Sequence, residues 1–360
     1  MGKAEMLKRV DNLRERLAED DIGALLVTNP VNIAYLSGFT GTSGYLLVTP
    51  QEAYLLTDFR YLEQARAQSA SFTIEDVAGA PWKQVSSLLA KDKLGELVVE
   101  GDHLTVDVFD KLTAQLEGVA TKALPSPVNG LRAVKDKGEQ EAIAAAVSLT
   151  DKAFTHILPF IRPGVREAEV ALELEFFLRK NGASGPSFSF IVASGTRSAL
   201  PHGVAGDKLL ETGDAVVLDF GCVLNGYCSD MSRTVFVGSA TERQKDVYYR
   251  VLEAQQSALE QLRPGMNGTE ADALARNVLA KYDLTEKFGH GLGHGLGRVI
   301  HEAPRLSPVS EDVLKPGMVV TVEPGVYISG EFGVRIEDVV VITEDGVVNL
   351  TKSSKDLVCI

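Results

Sequence analysis

Cysteine is scarce in this 360-residue chain. The three present, Cys222, Cys228 and Cys359, include no close-spaced ligand pair, and their odd count gives no disulfide framework. They read as reduced bystanders, Cys222 being the one near enough to a candidate site to lie beside it. No run approaches the eighteen or more apolar residues of a membrane span. The N-terminal stretch MGKAEMLKRVDNLRERLAEDD is charged throughout, an amphipathic helix rather than a signal peptide, so the expected location is cytoplasmic with no membrane partner. Basic clusters are missing as well. With 36 Lys and Arg against 49 Asp and Glu, the net charge of −13 would repel phosphate backbones, which argues against nucleic acid as a partner.

What is there is the composition of a globular protein, 45% apolar and 24% charged. Its length exceeds the usual limit of one hydrophobic core, so two domains are expected. From Met1 to about Pro127, helices alternate with short apolar runs, IGALLVTN, GYLLVTP, EAYLLTD and ELVVEG. That pattern predicts a small α/β domain over residues 1–128. A Pro/Gly-rich break near Pro125 to Gly130 reads as a linker, after which a second domain spans 129–360. The fold class is α+β.

Inside the second domain the sequence repeats itself at an offset of roughly a hundred residues. Arg-Pro-Gly precedes an amphipathic helix both in Ile161–Gly182 and in Leu262–Asp283. Further on, Leu209–Gly221 aligns with Val313–Gly325, so that Gly213 matches Gly317 and Asp219 matches Glu323; the following strands then match Asp230 with Glu337. Thr241 with Gln244, and Thr269 with Asp272, have the spacing of helix capping boxes. Two such halves would pack about a pseudo-twofold axis, with their carboxylate-bearing hairpins facing one another.

Asp219, Asp230, Glu323 and Glu337 each sit in or beside a strand-like apolar run, where an unpaired charge would cost several kcal/mol of desolvation. Bland readings exist: Asp230 as a turn cap, Glu337 as a partner of Arg335. The repeat would make five separate coincidences necessary. Strand residues alternate between faces, so a carboxylate ending such a run can point into a cleft while its neighbours fill the core. His294, in the glycine-rich FGHGLGHGLG, adds one imidazole. Four hard oxygen donors and one nitrogen suit Mn²⁺ or a similar divalent ion, with Co²⁺, Zn²⁺ and Fe²⁺ as alternatives. Two ions about 3.5 to 4 Å apart would polarise a carbonyl and activate a water, which is hydrolytic machinery. Of only six histidines, His202, His290 and His301 fall in neighbouring motifs, where they can serve as proton carriers or donors to a developing oxyanion. Glu302 and Asp338 read as supporting or surface charges.

The motifs LDFG with a second Asp eleven residues later, HGLGHGLGRVIHEAPR, VEPGVY and VRIEDVV resemble the Xaa-Pro aminopeptidase and prolidase family of metallopeptidases. YLSGFTGTSGYLLVT and LLTDFRYLEQA resemble that family's N-terminal, creatinase-like domain. The resemblance implies a two-layer pita-bread catalytic fold and cleavage after an N-terminal residue that precedes proline. It implies that Asp219 holds one metal, His294 and Glu323 the other, and that Asp230 and Glu337 bridge them. Glu323 would also handle the proton of the nucleophilic water, and His202 and His301 would contact the scissile carbonyl and the proline nitrogen. His290 and Arg335 would line the proline-side pocket, and Arg305 would hold the free carboxylate of a dipeptide. The substrates would be small peptides with proline second, and the assembly a homodimer. Alternatives are a methionine aminopeptidase-like enzyme, a metal-free creatinase-like hydrolase, which should have lost ligand carboxylates, and a non-catalytic peptide-binding descendant.

Overall fold

The structure is a computed structural model and describes residues 3–360. Contacts divide the chain into two compact units, Met1–Arg132 and Ala133–Ile360. Among the described residues no helix is long and apolar enough to cross a membrane.

The first unit is a six-stranded mixed sheet in the order Thr73–Asp76, Ala53–Thr57, Tyr45–Val48, Leu25–Val27, Glu96–Glu100, Ala120–Leu124. The inner strands read as unbroken apolar runs because both faces are covered. Leu25, Val27, Leu46 and Val48 pack with Val10, Leu13 and Leu17 of the helix Lys3–Glu19. Leu26, Leu47, Tyr54 and Leu56 meet Val85, Leu88 and Leu89 of Pro81–Lys91 on the other side. The two edge strands escape a hydrophobicity reading: TIED has a single apolar residue and ATKAL is a short mixed run, and neither contains a fully buried residue, as suits a sheet edge. Residues 127–133, expected in part to be linker, form the helix Pro127–Ala133, with Val128 fully buried.

In the second unit the duplication is visible in the backbone. Gly164 N donates to Leu210 O (2.9 Å) and Leu210 N to Val165 O (2.8 Å). In the other half Gly265 N donates to Leu314 O (2.8 Å) and Leu314 N to Met266 O (2.8 Å). The isolated bridges Arg166↔Leu209 and Asn267↔Val313 match likewise. At the Arg-Pro-Gly turns Gly164 and Gly265 have φ of 87° and 88°, a conformation that favours glycine. Each half runs helix, helix, strands: Lys137–Ile157 and Glu167–Lys180 before Ile191–Ser194, Ala215–Phe220 and Met231–Phe236; then Glu242–Gln261 and Gly268–Ala280 before Gly293–Gly295, Val319–Val322 and Asp338–Ile342. This is the two-layer, pseudo-twofold α+β architecture expected.

Two details differ from expectation. Thr241 and Gln244 do form a capping box, but at the other helix Asn267 caps and Glu270 closes the box, not Thr269 and Asp272. Asp272 instead binds Arg276 (2.7 Å) and the Leu292 amide (2.9 Å), tying the helix to the glycine-rich strand. The second difference is register. Asp219 lies opposite Ser232, whereas Val322 lies opposite Asp338, so the next residues out, Glu323 and Glu337, face each other across their ladder. The counterpart of Glu337 is therefore Ser232, and Asp230 stands two residues earlier. Because strand side chains alternate with period two, that offset keeps Asp230 on the same face.

Candidate metal centre

Asp219 is the fifth residue of Ala215–Phe220, and Asp230 directly precedes Met231–Phe236. Glu323 follows Val319–Val322, and Glu337 precedes Asp338–Ile342. His294 is the middle residue of Gly293–Gly295, where the flanking positions must be glycine. A Cβ on Gly293 would lie 2.0 Å from Thr321 O, and one on Gly295 would lie 2.2 Å from Ala303 O. That close approach puts the imidazole over the carboxylates.

Asp230, His294 and Glu337 bring ligand atoms within 4.8 Å of one another. His294 Nε2 is 3.6 Å from Asp230 Oδ2 and 3.3 Å from Glu323 Oε1. On the other side of the ring Nδ1 is 3.1 Å from Gly295 O. A carbonyl can only accept, so Nδ1 carries the proton and the Nε2 lone pair faces the cluster, the tautomer a metal-ligating histidine needs. Thr321 Oγ1 accepts from His294 N and donates to Glu323 Oε1, both at 3.0 Å, fixing the His294 strand and the Glu323 side chain together. Ser232 Oγ donates to Glu337 Oε2 at 2.8 Å. Asp219 stands outside the tight triad, its Oδ2 2.5 Å from Arg335 Nη2.

The cluster is electrostatically unfinished. Burial raises the Asp230 carboxyl well above its ordinary range, and Glu337, Asp219 and Glu323 push it further. Glu337 is raised in the same way, by burial and then by Glu323 and Asp219. Burial also raises Glu323. Among the described residues, Asp219 Oδ1, Asp230 Oδ1 and Glu337 Oε1 are buried without a hydrogen-bond partner. Three buried carboxylate oxygens without donors, beside an imidazole lone pair and with Arg335 as the one guanidinium against Asp219, fit hard divalent cations, which would supply the positive charge the other carboxylates lack. Burial lowers His294, favouring the neutral form that a metal-ligating imidazole would need.

The remaining predicted residues surround this cluster. His301 is exposed, its ring edge-to-face with His294 at 4.4 Å between centroids. Burial, and then the charges of His294, Arg305 and His202, lower it. His202 is exposed on the loop after Gly195–Ala199, close enough to act on both His290 and His301. Arg305 lies directly opposite His294 in the ladder, so the two side chains share a face. Its guanidinium has no acceptor among the described residues, while its amide donates to Asp312. His290 and Arg335 are engaged with the protein. Arg335 is 3% exposed and donates from Nε to Ser232 Oγ (2.8 Å) and from Nη1 to Pro201 O (3.0 Å) and Tyr327 OH (2.7 Å). The His290 Nδ1 proton goes to Gly291 O (2.8 Å), so Nε2 accepts from Tyr327 OH (2.9 Å). Motif reading passed over Tyr327, Ser232 and Thr321. Tyr327 lies inside the VEPGVY segment, and Ser232 and Thr321 lie two residues from Asp230 and Glu323 on the same strand faces, a spacing that would have found them.

Buried carboxylates converging with one imidazole on a duplicated α+β frame fit a class, the hydrolases. The chain belongs to metallopeptidase family M24, whose model matches residues 141–344, and residues 9–134 match the creatinase/prolidase N-terminal domain. It is 40% identical over 353 residues to the Xaa-Pro dipeptidase of Pyrococcus furiosus, covering 98% of this chain and all of that one. An Xaa-Pro dipeptidase from Bacillus anthracis superposes with a TM-score of 0.97 at 44% identity, over 99% and 100% of the two chains. An X-Pro aminopeptidase from Thermotoga maritima superposes at 0.90 with 36% identity, over 96% and 99%.

Proposed function

We propose that this metallopeptidase cleaves the bond between an N-terminal residue and proline, with dipeptides modestly favoured, using two divalent ions of which Mn²⁺ is the first choice. The observation that carries the metal part is the trio of buried carboxylate oxygens without donors. Asp219, Asp230, His294, Glu323 and Glu337 would hold the ions. When bound, such ions polarise the scissile carbonyl and make water acidic enough to attack at neutral pH. Glu323, its carboxyl raised by burial, takes the proton of the attacking water. His301 and His202, exposed beside the cluster, contact the carbonyl and the proline nitrogen, holding the amide while charge develops. His290 and Arg335, locked through Tyr327, form the wall of the proline side. Arg305, sharing a face with His294 and lacking an acceptor of its own, offers a guanidinium fork to the carboxylate of a dipeptide.

A length series from Xaa-Pro to longer Xaa-Pro peptides, run with Mn²⁺ and with Co²⁺ and with Asp230→Ala as control, tests this reading. Cleavage of no Xaa-Pro substrate of any length ends it, and cleavage of Met-Ala peptides alone favours the methionine aminopeptidase alternative. Arg305→Ala should weaken dipeptide cleavage far more than tripeptide cleavage; equal losses would leave the aminopeptidase reading, which the Thermotoga maritima relative also supports. Manganese itself, the cytoplasmic location and the homodimer belong to the same proposal. They rest on donor type, composition and family resemblance, and metal analysis and sedimentation check the first and last.

A further inference from the structure

Arg233 heads the fully buried side chains by size, and it is no ligand. All five of its N–H donors have acceptors. Nε donates to Ser354 O (3.0 Å), Nη1 to Ser232 O (2.9 Å) and Glu337 O (2.5 Å), and Nη2 to Asp338 Oδ1 (2.8 Å) and Ser353 O (2.9 Å). By register Arg233 and Asp338 are counterparts in the two halves, as Ser232 and Glu337 are, so two pairs of equivalent residues touch across the pseudo-twofold axis. The Glu337 amide donates to Ser232 O (3.1 Å). Both backbone polar groups of Glu337 are thus held by the 232–233 dipeptide, while its side chain has Ser232 on one oxygen and nothing on the other.

The carbonyls that orient Arg233 come from the C-terminal segment, which is itself pinned. Asp151, on the helix Lys137–Ile157, accepts from Lys352 N (3.0 Å), Ser353 N (2.8 Å) and Ser353 Oγ (2.5 Å). Ser353 therefore faces Asp151 with its amide and Arg233 with its carbonyl. Lys355 Nζ reaches Asp338 Oδ2 at 2.6 Å, so the same segment supplies a second cation to the buried carboxylate.

We infer that Arg233 is a positioning residue for Glu337, and that its grip is set by residues 352–355 docked on Asp151, so that a half-buried contact governs how tightly the centre holds metal. Well-packed apolar residues commonly replace a buried ion pair at little cost in stability. A guanidinium with every donor spent, two of them on the backbone beside a ligand, is accounted for by geometry rather than by stability alone. The inference rests on the metal-site reading above.

The test titrates metal-free wild type, Arg233→Lys and Asp151→Ala with Mn²⁺ by calorimetry, and records thermal melting and amide exchange at Glu337 and Asp338 without metal. Arg233→Lys keeps the charge and loses the fork, and should bind Mn²⁺ roughly tenfold to a hundredfold more weakly. Asp151→Ala should shift affinity the same way by less, with faster exchange at 337 and 338 and a melting temperature close to wild type. Should Arg233→Lys fail to fold, Asp151→Ala decides alone. Wild-type affinity and unchanged exchange in Asp151→Ala overturn the inference while leaving the metal reading intact. No Mn²⁺ binding by wild type overturns both.

Discussion

Tyr327 shows how much one hydroxyl can organise. It accepts from Arg335 and donates to His290, so its loss leaves a buried guanidinium N–H and an imidazole nitrogen without their partner. Tyr327→Phe should cost about 1 to 3 kcal/mol in urea denaturation, and an undiminished midpoint would show that water replaces the hydroxyl. Burial pushes this phenol up to about 12, and Tyr248, which donates to the Lys355 and Asp356 carbonyls, is pushed up to about 12 as well. Below about pH 10 both folded and unfolded states keep the proton, and the stabilisation is complete. Between about 10 and 12 the unfolded chain ionises first, so stability falls as pH rises, by up to about 3 kcal/mol for each phenol. Absorbance titration should find Tyr248 and Tyr327 among the tyrosines that ionise late, together with alkaline unfolding; ionisation of all nine near 10 in folded protein would contradict this.

Among elements, the strand Gly293–Gly295 tolerates no added side chain at either glycine. Its glycines let the backbone lie against Thr321 and Ala303, and the obstacles are main-chain atoms that cannot rotate away. Gly293→Ala should therefore destabilise by roughly 3 kcal/mol or more and weaken Mn²⁺ binding in the fraction that folds. A melt and titration equal to wild type would mean that the ladder can shift. Gly213 and Gly317, with φ of 94° and 88°, hold equivalent turns in the two halves.

Those glycines also explain what was legible. A turn that needs a left-handed residue keeps its glycine through divergence, so the Arg-Pro-Gly and Thr-Gly/Pro-Gly landmarks exposed the duplication and the Asp219–Glu323 match. Asp230 could not be matched correctly by the same means. Eleven residues separate Asp219 from Asp230 and fourteen separate Glu323 from Glu337, and only hydrogen-bond pairing reveals which residues stand opposite. The edge strands of the first unit, TIED and ATKAL, carry no apolar run long enough to mark a strand, and the Arg233 to Ser353 contact joins residues 120 apart that no local pattern links.

At the scale of the whole molecule, residues 133–360 fold around four converging carboxylates against which they set one buried guanidinium, Arg335. Anything that binds only the folded form stabilises it by mass action: free Mn²⁺ at a hundredfold excess over its Kd should add about 2.7 kcal/mol for each occupied site. Chelation should lower the melting temperature and reduce exchange protection within 133–360. Indifference of the melt to both chelator and Mn²⁺ would contradict a cation-completed core.

Glu337 and Asp338 are neighbours on one strand, yet the first meets a cluster of anions and the second meets Arg233 and Lys355. The strand thus acts as a partition, and the site has a reading frame of two. One residue inserted between Arg335 and Glu337 would reverse the faces of the two carboxylates, turning Glu337 towards the side of Arg233 and Lys355 and Asp338 towards the side of the anionic cluster. Two inserted residues would restore the faces and change only the reach. Length changes of even parity are therefore the ones this hairpin can survive, and the two-residue displacement of Asp230 from the Glu337 counterpart is one that it already carries.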